Sequence, residues 1–263
     1  MRFYFSLKIL VIGMLLNACN GQNTPPIAGR NADTLVYNRK IIDEHSNYFL
    51  KDDNRLDTTY FRAKYPVFQE DKINKLIANI VHLEGDTSMQ NAANRFINSY
   101  NEYVEDNSGK STATWNRDLQ IDVIANTAVF LGLRTKQEEY TGGAHGDHFT
   151  LYSNFDRQSN KPISIDDVIQ KENKDKFVKI AEQYFRKQEG LSDDDSFNGK
   201  YFFEDGKFSL ADNFTFEKDD ILFYYNVYEI KSYAEGNTEL RIPYTTFKHL
   251  ISDKGLRYIN SIN

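Results

Sequence analysis

The residues best placed for chemistry in this 263-residue chain stand in one short run, Tyr140-Thr141-Gly142-Gly143-Ala144-His145-Gly146. It lies between two runs of alternating apolar residues. Paired glycines there supply the positive φ of a tight connection, and Gly146 permits a second sharp step. Two readings stand: a hairpin turn with a surface histidine, or a ligand-facing loop with Tyr140 and His145 as its polar contacts. His145 and His148 flank Asp147, which invites zinc. On a strand, positions three apart face opposite sides, and neither an HExxH run nor cysteine ligands accompany them. No metal and no cofactor are expected. An enzyme acting on envelope glycans would pair His145 with a carboxylate such as Glu139 or Asp147. Nothing in the spacing marks a triad, a Gly-x-Ser-x-Gly elbow or a phosphate-binding loop.

A second run mimics a calcium loop. Asp194, Ser196 and Asn198 alternate, Gly199 follows, and Asp205 stands at the twelfth position. An EF-hand closes on a bidentate Glu and opens into a helix. Here the closing residue is Asp, and Tyr201-Phe202-Phe203 reads as a strand. A solvated acidic loop is the expectation.

The sole cysteine, Cys19, follows Leu16-Asn17-Ala18. Upstream lie Arg2, Lys8 and an apolar core from Ile9 to Leu16, 8 residues long. A spanning helix needs about 20 apolar residues, so this core reads as the h-region of a signal peptide. The site resembles the lipobox of bacterial lipoproteins. That resemblance implies cleavage before Cys19 and a diacylglycerol on its sulfur, which ties the protein to a lipid bilayer. The mature chain would have 263 − 18 = 245 residues, and loss of Arg2 and Lys8 would move its formal charge from −6 to −8. Residues 1–18 are then the signal peptide and 19–33 a flexible tether with Pro25-Pro26. No acidic run follows Cys19, so the periplasmic face of a bacterial membrane is expected rather than surface export.

Acidic balance argues against nucleic acid, which needs basic patches, and favours cationic partners. With Cys19 acylated no disulfide remains, so stability must come from packing. The chain supplies 19 Phe and 17 Tyr for it. Tyrosine-rich strands suit sheets with one wet face.

The elements that must position these residues follow from periodicity. Residues 35–50 and 59–68 read as strands, with Pro66 at an edge or an end. Ile73, Leu76, Ile77, Ile80 and Val81 repeat at helical spacing within 70–83, and a second helix is predicted over 88–105. Alternation over 115–123, 129–133 and 149–153 predicts an antiparallel meander. Ser164 opens a short helix to Ile169, and 174–189 is a longer one. Strands are expected at 213–217, 221–230 and 239–244, with a closing helix over 245–251. The order predicts an α+β fold: antiparallel sheets with amphipathic helices packed on them, in two sequential halves, 34–160 and 161–263.

Two segments together carry a family likeness. Tyr140-Thr141-Gly142-Gly143-Ala144-His145 resembles the motif of extracytoplasmic domains in RsiV-type anti-sigma factors and PdaC-type peptidoglycan deacetylases. Phe214-Thr215-Phe216, Leu222 to Tyr225, Tyr228-Glu229-Ile230, Tyr233-Ala234-Glu235-Gly236 and Ile242-Pro243-Tyr244 resemble the C-terminal half of the RsiV-type sensor. Pro66 with the helix after it resembles the N-terminal half. The likeness spans roughly 34–252. It implies a PdaC-type module over 34–160 and an RsiV-type module over 161–263. It also implies binding rather than catalysis, with a muramidase (lysozyme) or a peptidoglycan fragment as partner. The contact surface is expected at Tyr140, Gly142, Gly143, His145, Tyr228, Glu229 and Tyr233. The sequence shows no deacetylase catalytic domain and no cytoplasmic sigma-binding segment. A structural lipoprotein within a larger envelope complex is the third reading.

Overall fold

The computed structural model describes residues 34–52, 55–80 and 88–262. Cys19, the apolar run before it and the expected tether lie outside the described residues. The first half opens with the hairpin β1 (Tyr37–Asp52) and β2 (Arg55–Phe68). Helices α1 (Asp71–Ile80) and α2 (Met89–Asp106) follow. Then come β3 (Asn116–Asn126), β4 (Phe130–Tyr140), β5 (Asp147–Asp156) and the two-residue β6 (Lys161–Pro162). These six strands lie in sequence order in one sheet. The second half holds α3 (Ile165–Val168), α4 (Lys174–Glu189), the sheet β7 (Phe214–Phe216), β8 (Asp220–Tyr225), β9 (Thr238–Pro243), and the helices α5 (Tyr244–Phe247) and α6 (Asp253–Asn260).

The fold is α+β, with helices packed on sheets. One pair departs from antiparallel order: β2 and β3 run parallel. Two helices intervene between them, and a parallel pair needs a crossover of about a dozen residues or more. Pro66 sits opposite Arg39 on β1, beyond the last β2–β3 pair at Lys64–Gln120. Its missing N–H therefore costs no rung of the β2–β3 ladder.

Two cores divide the apolar residues. Ile73 and Ile77 of α1 and Ala92, Ala93 and Phe96 of α2 close over Phe61, Ala63, Leu119, Ile121 and Leu133. The second core gathers Phe177 and Phe185 of α4 with Phe223 of β8, Leu240 of β9 and Tyr258 of α6. The alternation expected around β4 breaks at Phe130, which is buried like Leu131 and Leu133. Leu131 and Leu133 face the first core while Phe130 turns into the second, against Phe216 at 5.3 Å.

Three asparagine side chains join the halves. β6 pairs only with Phe155 and Asp156, which leaves most of the outer edge of β5 without a strand. The Asn226 side chain accepts the Thr150 N–H at 2.7 Å and donates to the Thr150 carbonyl at 3.1 Å. Asn213 accepts the Tyr152 N–H at 2.8 Å and donates to the same carbonyl at 2.8 Å. Asn154 donates back to the Phe214 carbonyl at 2.7 Å. Amide side chains thus do for this edge what a neighbouring backbone would. At the far end of the sheet the Asn126 side chain clamps Leu35 in the same two-bond way, both at 2.9 Å.

Other expectations need correction. β8 stops at Tyr225, not Ile230, because Asn226 to Glu229 forms a turn, with Tyr228 at φ +67°. Tyr201 to Phe203 is not a strand. Tyr201 and Phe203 bury against Phe185 at 5.2 and 5.5 Å, Phe202 faces solvent, and one backbone bond to Ile230 is the only rung. The expected closing helix ends at Leu250 as α5 plus one 3-10 turn. α6 then starts afresh from Ser252, whose hydroxyl accepts the Gly255 N–H at 2.9 Å. A side chain at Gly255 would meet the Val168 carbonyl at 2.5 Å, so glycine lets α6 lie against α3. The loop over 194–205 is held from below by Phe197, buried beneath the Arg186 guanidinium at 4.2 Å. Among the described residues no three His, Cys, Asp or Glu side chains gather as a metal site needs, and no helix is long and apolar enough to cross a membrane.

Candidate functional site: a loop and a turn meeting at Tyr233

The loop between β4 and β5 begins where Tyr140 leaves the sheet. The Tyr140 hydroxyl donates to the Gly143 carbonyl at 3.0 Å, across two glycines at φ +100° and +105°. Those φ values suit glycine and strain most other residues. The turn after β8 is built by short-range carboxylates. The Glu229 carboxylate accepts the Asn226 N–H at 2.9 Å, while Glu235 accepts the Ser232 hydroxyl at 2.8 Å and its N–H at 3.2 Å. Those two bonds from Ser232 hold the Glu235 carboxyl below its ordinary range. They also set the 3-10 turn Tyr233–Glu235, which aims the Tyr233 ring at the loop.

His145 stacks on Tyr233 with ring centres 4.2 Å apart and planes within 21°. His148 meets the same ring edge-on at 5.5 Å, and Tyr228 lies 5.5 Å away on the turn itself. The Tyr233 hydroxyl donates to the Gly146 carbonyl at 3.0 Å. His145 Nδ1 lies 2.8 Å from that oxygen. A carbonyl only accepts, so Nδ1 carries the hydrogen of this bond. Gly146 is needed because a side chain there would meet the Glu139 carbonyl at 2.8 Å.

Residues 85 positions apart, Tyr233 and His148, therefore share one patch. His145, His148 and Tyr228 meet at the Tyr233 ring, while Tyr140, Gly142 and Gly143 build the loop that carries His145. Glu229 is exposed too, but its carboxylate is committed to Asn226. The opposite-face argument about His145 and His148 does not hold, since β5 starts at Asp147 and His145 is loop. Both rings reach Tyr233. Two residues were missed: Asn226, which ties the turn to β5, and His148 as a partner of Tyr233. The Asn226–Glu229 spacing of a side-chain-capped turn was the available signal.

The carboxylates considered as partners of His145 are engaged elsewhere. Glu139 accepts the Arg117 Nε–H at 2.6 Å, and Asp147 accepts the His148 N–H at 2.9 Å. What the patch offers is aromatic area and hydrogen-bonding edges: an exposed Tyr228, two imidazoles and a tyrosine. Such rings give large contact area at small conformational cost, the usual make-up of a protein-binding surface.

Comparison with known proteins follows the same two-part order. A family model described as Deacetylase PdaC matches residues 53–148. A model described as a protein of unknown function, DUF3298, matches residues 166–245. Among solved structures, a DUF3298-family protein from Bacteroides fragilis superposes with a TM-score of 0.67 at 23% identity, over 87% of this chain and 97% of that one. One from Pseudomonas aeruginosa gives 0.61 at 18% identity, over 84% and 95%. At these identities the likeness is one of fold. No curated protein matches. The chain is thus similar to PdaC in its first half and to DUF3298 in its second, on the fold of the two DUF3298 structures.

Proposed function

We propose that this chain is a lipid-anchored binding or sensing module of the bacterial cell envelope, tethered through an acylated Cys19. Its partner is a muramidase, met at the patch around Tyr233. The observation that carries the reading is the stack of His145 on Tyr233, which joins both halves' motifs in one exposed aromatic surface. The net charge of −6 suits a basic protein, since complementary charge speeds association. The Deacetylase PdaC likeness supports a peptidoglycan setting. An enzyme built on His145 has less support, because its ring meets Tyr233 and the Gly146 carbonyl rather than a carboxylate.

The test is biolayer interferometry of residues 20–263 against a c-type lysozyme at two salt concentrations. Binding at about 1 µM or tighter that survives moderate salt supports the reading. Binding that salt abolishes is charge attraction alone and sinks it.

A further inference from the structure

β1 is an outer strand of the first sheet, and its free edge is open. At the other side of that sheet, the amides of Asn213 and Asn226 serve the bare part of β5. Nothing comparable serves β1 among the described residues, where β2 is its one strand partner. An unpaired edge is a template for another strand, and folds commonly blunt it with a bulge. Here the pairing with β2 shifts register after His45, and Ser46 turns inward to donate to Asn101 at 2.6 Å. Before that bulge, Tyr37 to His45 is regular strand, with Asn38, Lys40, Ile41 and Asp43 exposed along it.

The regular stretch is centred on Ile41. Ile42 lies in the first core, so Ile41 points to the open face, with Arg39 and Asp43 on either side of it. Ile41 is 66% exposed there, a large apolar side chain between two charges. Laid antiparallel against a second copy of itself about Ile41, this strand is self-complementary. Directly opposite residues share a face. Ile41 then meets the second copy's Ile41, Arg39 meets its Asp43, and Asp43 meets its Arg39. Tyr37 falls opposite His45, so the regular stretch is used from end to end. Moving the axis to Lys40 or Ile42 loses both ion pairs. The charges are available. Asp43 meets the Arg62 Nε–H at 3.1 Å and His45 Nε2 at 2.9 Å through Oδ1 alone, which leaves Oδ2. Arg39 has no ion pair among the described residues; its charge acts on Asp122 at longer range. On the helix face Lys40 falls opposite Ile42 and diagonal to Glu44, so its stem covers one and its ammonium faces the other.

We propose that β1 is a self-association edge, through which two copies of this chain pair antiparallel about a two-fold axis at Ile41. The two sheets become one. Such a pairing is isologous and closes at two copies, because each free β1 edge is used up. It is independent of the Tyr233 patch and of the muramidase and lipid readings. An interface one strand wide falls short of the roughly 1,600 Å² of a standard complex, so a weak, reversible dimer is expected. The full chain, in a density-matched detergent, is followed by sedimentation equilibrium.

The expected result is a monomer–dimer equilibrium, half-complete at about 100 µM or below. Arg39→Asp sets like charges against each Asp43, and Asp43→Arg sets like charges against each Arg39. Each variant alone should dimerise about tenfold more weakly or worse. Mixed in equal amounts, the two should regain the parent affinity, since every opposed pair then has opposite charges. Recovery in the mixture also shows that both chains are folded. Ile41→Cys provides a second readout, because opposed Cβ atoms lie about 4.5–5.5 Å apart on the axis, within reach of a disulfide. Mild oxidation should link it into pairs above the background that Cys19 gives in the parent. Leu56→Cys, at an equally exposed position, should not link. A parent that stays monomeric up to about 1 mM overturns the proposal. So does a dimer that both charge variants leave intact, or Ile41→Cys linking no more than Leu56→Cys.

Discussion

Tyr233 does two separable things. Its ring stacks on His145 and its hydroxyl holds the Gly146 carbonyl. Tyr233→Phe removes only the bond, which is worth about 1 kcal/mol. It should speed amide hydrogen exchange across 141–146 and change lysozyme affinity little. Tyr233→Ala removes the ring as well and should weaken lysozyme binding by about tenfold or more, as loss of an aromatic anchor does. Equal effects of the two in interferometry would mean that the hydroxyl, not the surface, matters. At this scale the sequence told half the story. Gly142, Gly143 and His145 were legible because only glycine suits their turn and few residues are histidine. The committed state of Glu229 was not, because a carboxylate looks the same in sequence whether it faces a ligand or caps its own turn.

At the scale of elements, the seam along β5 is the feature to test. Asn213 and Asn226 both donate to the Thr150 carbonyl. Either one changed to Ala leaves a strand N–H unpaired and should cost about 1–3 kcal/mol in urea unfolding. The double variant should cost less than the sum, since the two share an acceptor. Full additivity would show that the seam is two independent bonds. Most helices were readable from their periodicity, α4 to the residue. α6 was not: Gly255 breaks its first turn, and the reason for a glycine there is the carbonyl of Val168, 87 positions earlier. The parallel β2–β3 pair was hidden too, because alternation fixes the face of a strand but not its direction. Likewise the turn after β8 interrupts an apolar run that otherwise reads as unbroken strand.

For the molecule as a whole, acid stability should rest on Asp156, which links the first sheet to the last helix. The Tyr258 hydroxyl donates to it at 2.7 Å, and the Ser159 N–H and hydroxyl at 2.8 and 2.9 Å. Burial alone would raise this carboxyl; those bonds together outweigh it and hold the group below its ordinary value. A depressed folded value contributes stability above the unfolded carboxylate value, near 3.9, and loses it as pH falls towards the folded one. Asp220 works in the other sense. Burial and the neighbouring Glu217 raise it, so its protonated form suits the fold and it gains stability as pH drops through its elevated value. Tyr258→Phe should cost about 1.5–3 kcal/mol at neutral pH and flatten the acid limb of the stability curve. An acid limb of unchanged slope, followed by thermal unfolding, would assign that limb to other carboxylates. Lastly, the clamp of Asn126 on Leu35 fixes where the chain enters the sheet. That entry lies at the end of β3 opposite Asn116, which pairs with Tyr140 beside the glycine loop. At about 3.3 Å per residue, the strand between them measures roughly 30 Å. If Cys19 is acylated as proposed, the Tyr233 patch stands at the end of the sheet remote from the point where the anchored chain enters it.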